Sequence, residues 1–100
     1  MNLLVDTEKG KLEVRDAMDC KRLSAEISGG GNLSAALGSF GKPDEDGAHL
    51  WISIDHLRRA AAPQDSADWQ SQFDAMIKYA ASKGWVDASA AYVRVHLVRP

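Results

Sequence analysis

The chain reads ADWQSQFDAMIKYAASK from Ala67 to Lys83, and the spacing of its apolar residues predicts an amphipathic helix. These residues recur every three or four positions, which places them on one face of a helix with about 3.6 residues per turn. They are Trp69, Phe73, Met76, Ile77, Ala80 and Ala81. Asp68 lies in the first turn, where the helix dipole favours an acid, and Gly84 follows as a stop. The exposed apolar face of such a helix requires a second layer to pack against.

Strands predicted before and after this helix in the sequence supply that layer. Residues 49–54 (HLWISI) and 92–98 (YVRVHLV) alternate apolar and polar side chains, which is typical of half-buried strands. The N-terminus predicts a hairpin, with strands at 3–6 and 11–15 and a turn through Gly10. Short helices are predicted at 32–40 and 55–62, the second capped by Asp55.

The segment from Asp16 to Ser28 is compatible with two structures. As a helix it is capped by Asp16 and ended by Gly29, with Ala17, Cys20, Leu23 and Ile27 on one face. As a strand it alternates through Leu23, Ala25 and Ile27. Because the capping residues fit, we favour the helix.

Together these elements predict one α+β domain that spans residues 1–100. The expected sheet is small, with about four strands that are mainly antiparallel and helices packed on one face. The expected order is ββ-α-α-β-α-α-β. A chain of 100 residues can bury one core of this kind, and we expect Trp69 and Trp85 to anchor the long helix in it.

Composition excludes several classes of protein. The net charge is −2, whereas dedicated nucleic-acid binders carry a basic excess, so we expect no nucleic-acid partner. The single cysteine, Cys20, excludes an intramolecular disulfide and a cysteine-based metal cage. No apolar run approaches the roughly 18 residues of a membrane span, and the N-terminus lacks a signal-peptide pattern. We therefore expect a cytoplasmic protein without a membrane partner. The alanine-rich composition is bacterial-like, in keeping with GC-rich coding.

None of the chemical motifs in the sequence is complete. His49, His56 and His96 lack the HxH or HxxxH spacing of a metal site, so we expect neither a metal nor another cofactor. The glycine run at 29–31 lacks the residues of a phosphate-binding loop. The acidic run at 44–46 lies in a Pro/Gly-rich loop and is interpreted as a solvated loop tip. We predict no catalytic residue, and an enzyme is less expected than a non-catalytic protein.

The polar face of the predicted sheet is its most informative feature. By alternation it carries His49, Trp51, Tyr92, Arg94 and His96. Aromatic rings beside Arg and His are typical of recognition surfaces. We therefore predict an interaction or homo-oligomerising module that uses this face, with a homodimer or an unknown protein as partner. The alternative is a small-molecule-binding protein or small enzyme that uses the His/Tyr/Arg cluster on the same face.

Overall fold

The computed structural model describes residues 1–61 and 67–98, and the described residues form one six-stranded mixed sheet that curls into a half-barrel. The strands are β1 (Asn2–Asp6), β2 (Lys11–Arg15), β3 (Ser24–Ser28), β4 (Gly41–Pro43), β5 (His49–Ser53) and β6 (Tyr92–Val98). The helices are α1 (Leu33–Leu37), α2 (Ile54–Ala61) and α3 (Ala67–Ser82), with a 3₁₀ turn at Gly38–Phe40 after α1. Across the sheet the strands lie in the order β2-β1-β3-β6-β5-β4.

The α+β class is correct, but the predicted small sheet of about four mainly antiparallel strands is wrong. The β1–β3 and β3–β6 pairs are parallel, whereas the other three pairs are antiparallel. The predicted element order is also wrong, because β3 replaces a helix and β4 was not expected. Both additional strands pair with strands that were predicted.

The helix favoured for residues 16–28 does not form. Asp16 adopts a left-handed conformation (φ 53°), and the amide of Asp19 donates to its carbonyl at 2.9 Å, which closes a turn. The chain then enters β3, which pairs in parallel with β1 and buries Ala25 completely. Unpaired backbone beside β1 offers hydrogen bonds as well as burial, so tertiary pairing overrides the local capping signals.

Strand β4 lies in the Pro/Gly-rich stretch at 41–47, which includes the acidic run and which its composition predicts to be a loop. Gly41–Pro43 pairs with β5, and Gly41 lies opposite Ile52. A Cβ atom at Gly41 would collide with the carbonyl oxygen of Trp51, so only glycine permits this close approach. The three-residue strand also brings the acidic turn that follows it onto the edge of the sheet.

The buried apolar residues among those described form one hydrophobic cluster that fills the half-barrel. Its strand residues include Leu3, Val5, Ala25, Leu50, Ile52, Val93, Val95 and Leu97, and its helix residues include Leu37, Leu57, Trp69 and Phe73. Helix α1 contacts β1 and β2 near one edge of the sheet and β4 at the other, so it closes the open side. The helices therefore bury their side chains in the same core as the inward strand residues.

The two tryptophans expected to anchor α3 have different environments. Trp69 is buried as predicted, and its indole Nε1 donates to the carbonyl of Ala17 at 2.7 Å. Trp85 was expected in the core but is 42% exposed, which contradicts that prediction. Gly84 adopts φ 80° directly after the helix and turns the chain outward before Trp85.

Helix α2 begins one residue before the predicted helix. The hydroxyl of Ser53 accepts from the amide of His56 at 3.3 Å, so Ser53 caps the helix, and not Asp55 as predicted. Asp55 lies in the first turn. The predicted last residue, Ala62, lies outside the described residues.

Candidate functional site

The five predicted interaction residues share the outer face of the sheet, the face opposite the core. The antiparallel register of β5 and β6 gives three cross-strand pairs, which are His49 with His96, Trp51 with Arg94, and Ser53 with Tyr92. Along both strands these side chains alternate with buried ones. The pairing therefore gathers residues from two distant parts of the sequence into one patch.

The aromatic rings of this patch are less open than the sequence suggested. His96 is exposed, whereas Trp51 and Tyr92 are half-buried. Lys42 of β4 lies opposite Trp51 in the strand register, and its ammonium group lies 5.7 Å from the centroid of the Tyr92 ring. The unexpected strand β4 thus places a long side chain beside both rings.

Arg94 is fixed by two carboxylates from the turn between β4 and β5. Its Nε donates to Oδ2 of Asp44 at 2.8 Å, and its Nη2 donates to Oδ2 of Asp46 at 2.7 Å. The interpretation of this acidic run as a solvated loop tip holds for the exposure of Asp46 but not for Asp44, which is half-buried, and it misses the ion pairs of both with Arg94. Their charge-assisted hydrogen bonds fasten the turn to β6.

Asp46 also organises the turn itself. Its Oδ1 accepts from the amides of Ala48 at 2.8 Å and His49 at 3.1 Å, while its Oδ2 accepts from Nδ1 of His49 at 2.7 Å. The hydrogen bond from the Ala48 amide is the main cause that lowers the pKa of Asp46 below its ordinary value of 3.8. His49 and Arg94 lower this pKa further. The carboxylate is therefore ionised at neutral pH.

Asp44, Asp46 and His49 also have the residue types of a metal site. Each offers one ligand atom, and these atoms lie within 4.8 Å of one another. Both carboxylates, however, already bind the guanidinium of Arg94, which carries a fixed positive charge. A cation here would have to displace that guanidinium or approach it closely, so the three-residue cluster is poorly suited to a metal.

A recess of about 330 Å³ lies beside the patch, and sequence reasoning did not predict it. Its lining residues are Leu23, His49, Trp85, Arg94 and His96. It lies where β3 and β6 separate, since β3 pairs with β6 only from His96 onward, whereas Val86 pairs with Val93. The position of Trp85 after a helix stop was visible in the sequence, but its outward direction was not.

Trp85 is held in place at this recess by its backbone and its ring. Its carbonyl accepts from the amide of Arg94 at 2.6 Å. Its indole meets the ring of Tyr79 edge-on, with centroids 6.2 Å apart, and Tyr79 is 58% exposed. The recess therefore has an ordered aromatic wall that continues onto α3.

The other chemical candidates are engaged in structural contacts. His56 does not line the recess, and its Nδ1 is 2.8 Å from the Ser53 hydroxyl that caps α2. Its ring also contacts Phe40. Cys20 is buried, and burial raises the pKa of its thiol above the ordinary 9.0, so it is protonated at neutral pH. Neither arrangement resembles an activated nucleophile.

Comparison of the chain with protein-family models, with curated proteins and with solved structures gives no match. Within the described residues, no helix combines the length and apolar character needed to cross a membrane. The case for a function consequently rests on the geometry of the outer face and its recess.

Proposed function

We propose that this protein is a non-catalytic interaction module that binds another protein surface through its outer face, centred on β5, β6 and Trp85. One observation carries the proposal: the recess brings Trp85, Arg94 and both cross-strand histidines together on a face that the core does not use. Tryptophan, tyrosine and arginine are enriched where proteins bind one another. The occupant is either a second copy of this chain or a different protein.

The order of the patch supports binding to a preformed surface. Arg94 and His49 are held by carboxylates of the turn, and the Trp85 backbone is hydrogen-bonded to β6. Side chains that are already fixed lose less conformational entropy when a partner covers them. Trp85 and His96 remain accessible and would supply much of the new contact.

A cytoplasmic location is part of this proposal. It is supported by the single cysteine, Cys20, which is a free thiol in the core. Thiols of this kind are typical of reducing compartments.

Site-specific photo-crosslinking in cells tests the proposal. A benzophenone amino acid replaces Trp85 in one variant and Ser71, an exposed residue of α3, in a matched control. We expect adducts from position 85 only, and an adduct of twice the mass of the chain identifies a second copy. Equal yields from the two positions, or none from position 85, would contradict the proposed binding face.

A small ligand in the recess is the second candidate function. A volume of about 330 Å³ lies at the lower end of the range of small-molecule sites, and aromatic and basic side chains line it. Screening a fragment library by NMR separates the candidates, because a ligand in the recess shifts the Trp85 indole resonance and leaves that of the buried Trp69 unchanged.

A further inference from the structure

His49 and His96 form a cross-strand pair with close imidazoles. Their ring centroids are 5.4 Å apart, with an interplanar angle of 70°. The neighbouring amide of Leu97 donates to the carbonyl of Ala48 at 2.9 Å, so the histidine pair occupies a non-hydrogen-bonded position of the ladder. At such positions the Cα atoms and the side chains approach most closely.

Asp46, in the turn between β4 and β5, fixes the tautomer of His49. Because the Asp46 carboxylate only accepts hydrogen bonds, the 2.7 Å contact requires the proton to lie on Nδ1 of His49. The lone pair of the neutral ring is then on Nε2. A carboxylate that orients the second nitrogen of a histidine is a common feature of metal sites.

His96 is free to act as the second ligand. Among the described residues its ring nitrogens have no hydrogen-bond partner, and the residue is exposed. Rotation of this side chain therefore breaks no hydrogen bond to the described part of the chain.

We propose that His49 and His96 together bind one divalent transition-metal ion of the Zn²⁺, Ni²⁺ and Cu²⁺ class. Two imidazoles on one tetrahedral ion, with metal–nitrogen distances of about 2.0–2.1 Å, have ring centroids about 5 Å apart. The observed 5.4 Å is close to that separation. The ligands would be Nε2 of His49 and one ring nitrogen of His96. This proposal does not depend on the proposed protein partner.

The chemistry of the pair determines which ions it selects. Imidazole ligands suit Zn²⁺, Ni²⁺ and Cu²⁺, whereas Mg²⁺ and Ca²⁺ prefer oxygen ligands. The carboxylates of Asp44 and Asp46 remain bound to Arg94 and are not ligands of this ion. The adjoining recess leaves room for water in the remaining coordination positions.

Zinc titration of three glutamine variants tests the site. Affinity for Zn²⁺ is measured by competition with a chromophoric chelator for the unmodified chain, His49→Gln, His96→Gln and His56→Gln, after circular dichroism has confirmed that each is folded. We expect one Zn²⁺ per chain and at least a tenfold loss of affinity in His49→Gln and in His96→Gln. His56→Gln is the matched control, and we expect it to retain the affinity of the unmodified chain.

A second readout reports the ligands directly. Electron paramagnetic resonance of the Cu²⁺-loaded protein is expected to show two nitrogen ligands, and one in either variant of the pair. The proposal is overturned if the chain binds no Zn²⁺, if His96→Gln binds as well as the unmodified chain, or if one Zn²⁺ bridges two chains. Loss of affinity in His49→Gln alone would place the ion at the carboxylate cluster instead.

Discussion

The side chain of Arg94 binds two carboxylates that lie far from it in the sequence. The alternation of side chains along β6 predicts that Arg94 lies on the outer face of the sheet, and the structure places it on that face. Its partners, Asp44 and Asp46, precede it by 50 and 48 residues. Only the register of β4, β5 and β6 brings these charges together. The acidic turn was visible in the sequence, but its pairing with Arg94 was not.

Asp46 gives the molecule an acid-sensitive contact. Its pKa is lower in the folded protein than in the unfolded chain, so the ionised carboxylate stabilises the fold above about pH 3.8. This contribution is lost as the pH falls through the lowered pKa. We therefore expect Asp46→Asn to be less stable than the unmodified chain at neutral pH, with the difference shrinking below about pH 4.

Urea denaturation at a series of pH values measures this effect. Glu45→Gln is the control, since the carboxylate of Glu45 makes no hydrogen bond or ion pair within the described residues. A difference between Asp46→Asn and the unmodified chain that stays constant from pH 7 to pH 3 would argue against the role of Asp46.

Phe73 is a core residue of α3 whose loss should be costly. It is fully buried, it stacks on Trp69 at a centroid distance of 5.1 Å, and the Arg58 guanidinium lies 4.7 Å from its ring centroid. We expect Phe73→Ala to lower the free energy of unfolding by about 3–5 kcal/mol. Tyr79→Ala, at an exposed position of the same helix, should cost much less. Similar denaturation midpoints for the two variants would show that the inward face of α3 is assigned wrongly.

At the scale of secondary structure, periodicity predicts the long and regular elements well. Helix α3 and the strands β1, β2, β5 and β6 lie within a few residues of their predicted positions. The errors fall on β3 and β4, which owe their conformation to neighbouring strands. A local pattern does not reveal this pairing, so it cannot predict a conformation that the pairing determines. For β3, the strand alternative described the segment better than the favoured helix.

Gly41 determines whether β4 can join the sheet. An added Cβ would meet backbone atoms of Trp51 and Ile52, which cannot rotate away as a side chain could. We expect Gly41→Ala to destabilise the fold by about 1–3 kcal/mol, as overpacking does in other cores. Gly30→Ala is the matched control, because a Cβ there has no neighbour within 4 Å. Equal urea midpoints for the two variants would mean that β4 does not pair closely with β5.

At the scale of the whole molecule, the sequence predicts the class and one face, but not the sheet topology. Alternation separates inner from outer residues on each strand, which is why the five predicted residues share a face. Strand order and direction depend on long-range pairing, and α1 closes the half-barrel by contacting strands near opposite edges. The recess beside Trp85 arises where β3 and β6 separate, so local patterns contain no sign of it.

The proposed function requires that this protein bind its partner through the outer face around Trp85 and His96. Hydroxyl-radical footprinting tests this binding by comparing the dilute purified protein with the same protein in an extract of the cells that produce it. Met18 is the internal reference, being 62% exposed in a turn outside the patch. We predict that Trp85 and His96 are oxidised in the purified protein and protected in the extract, while Met18 reacts equally in both. Unchanged oxidation of Trp85 and His96 in the extract would contradict the claim.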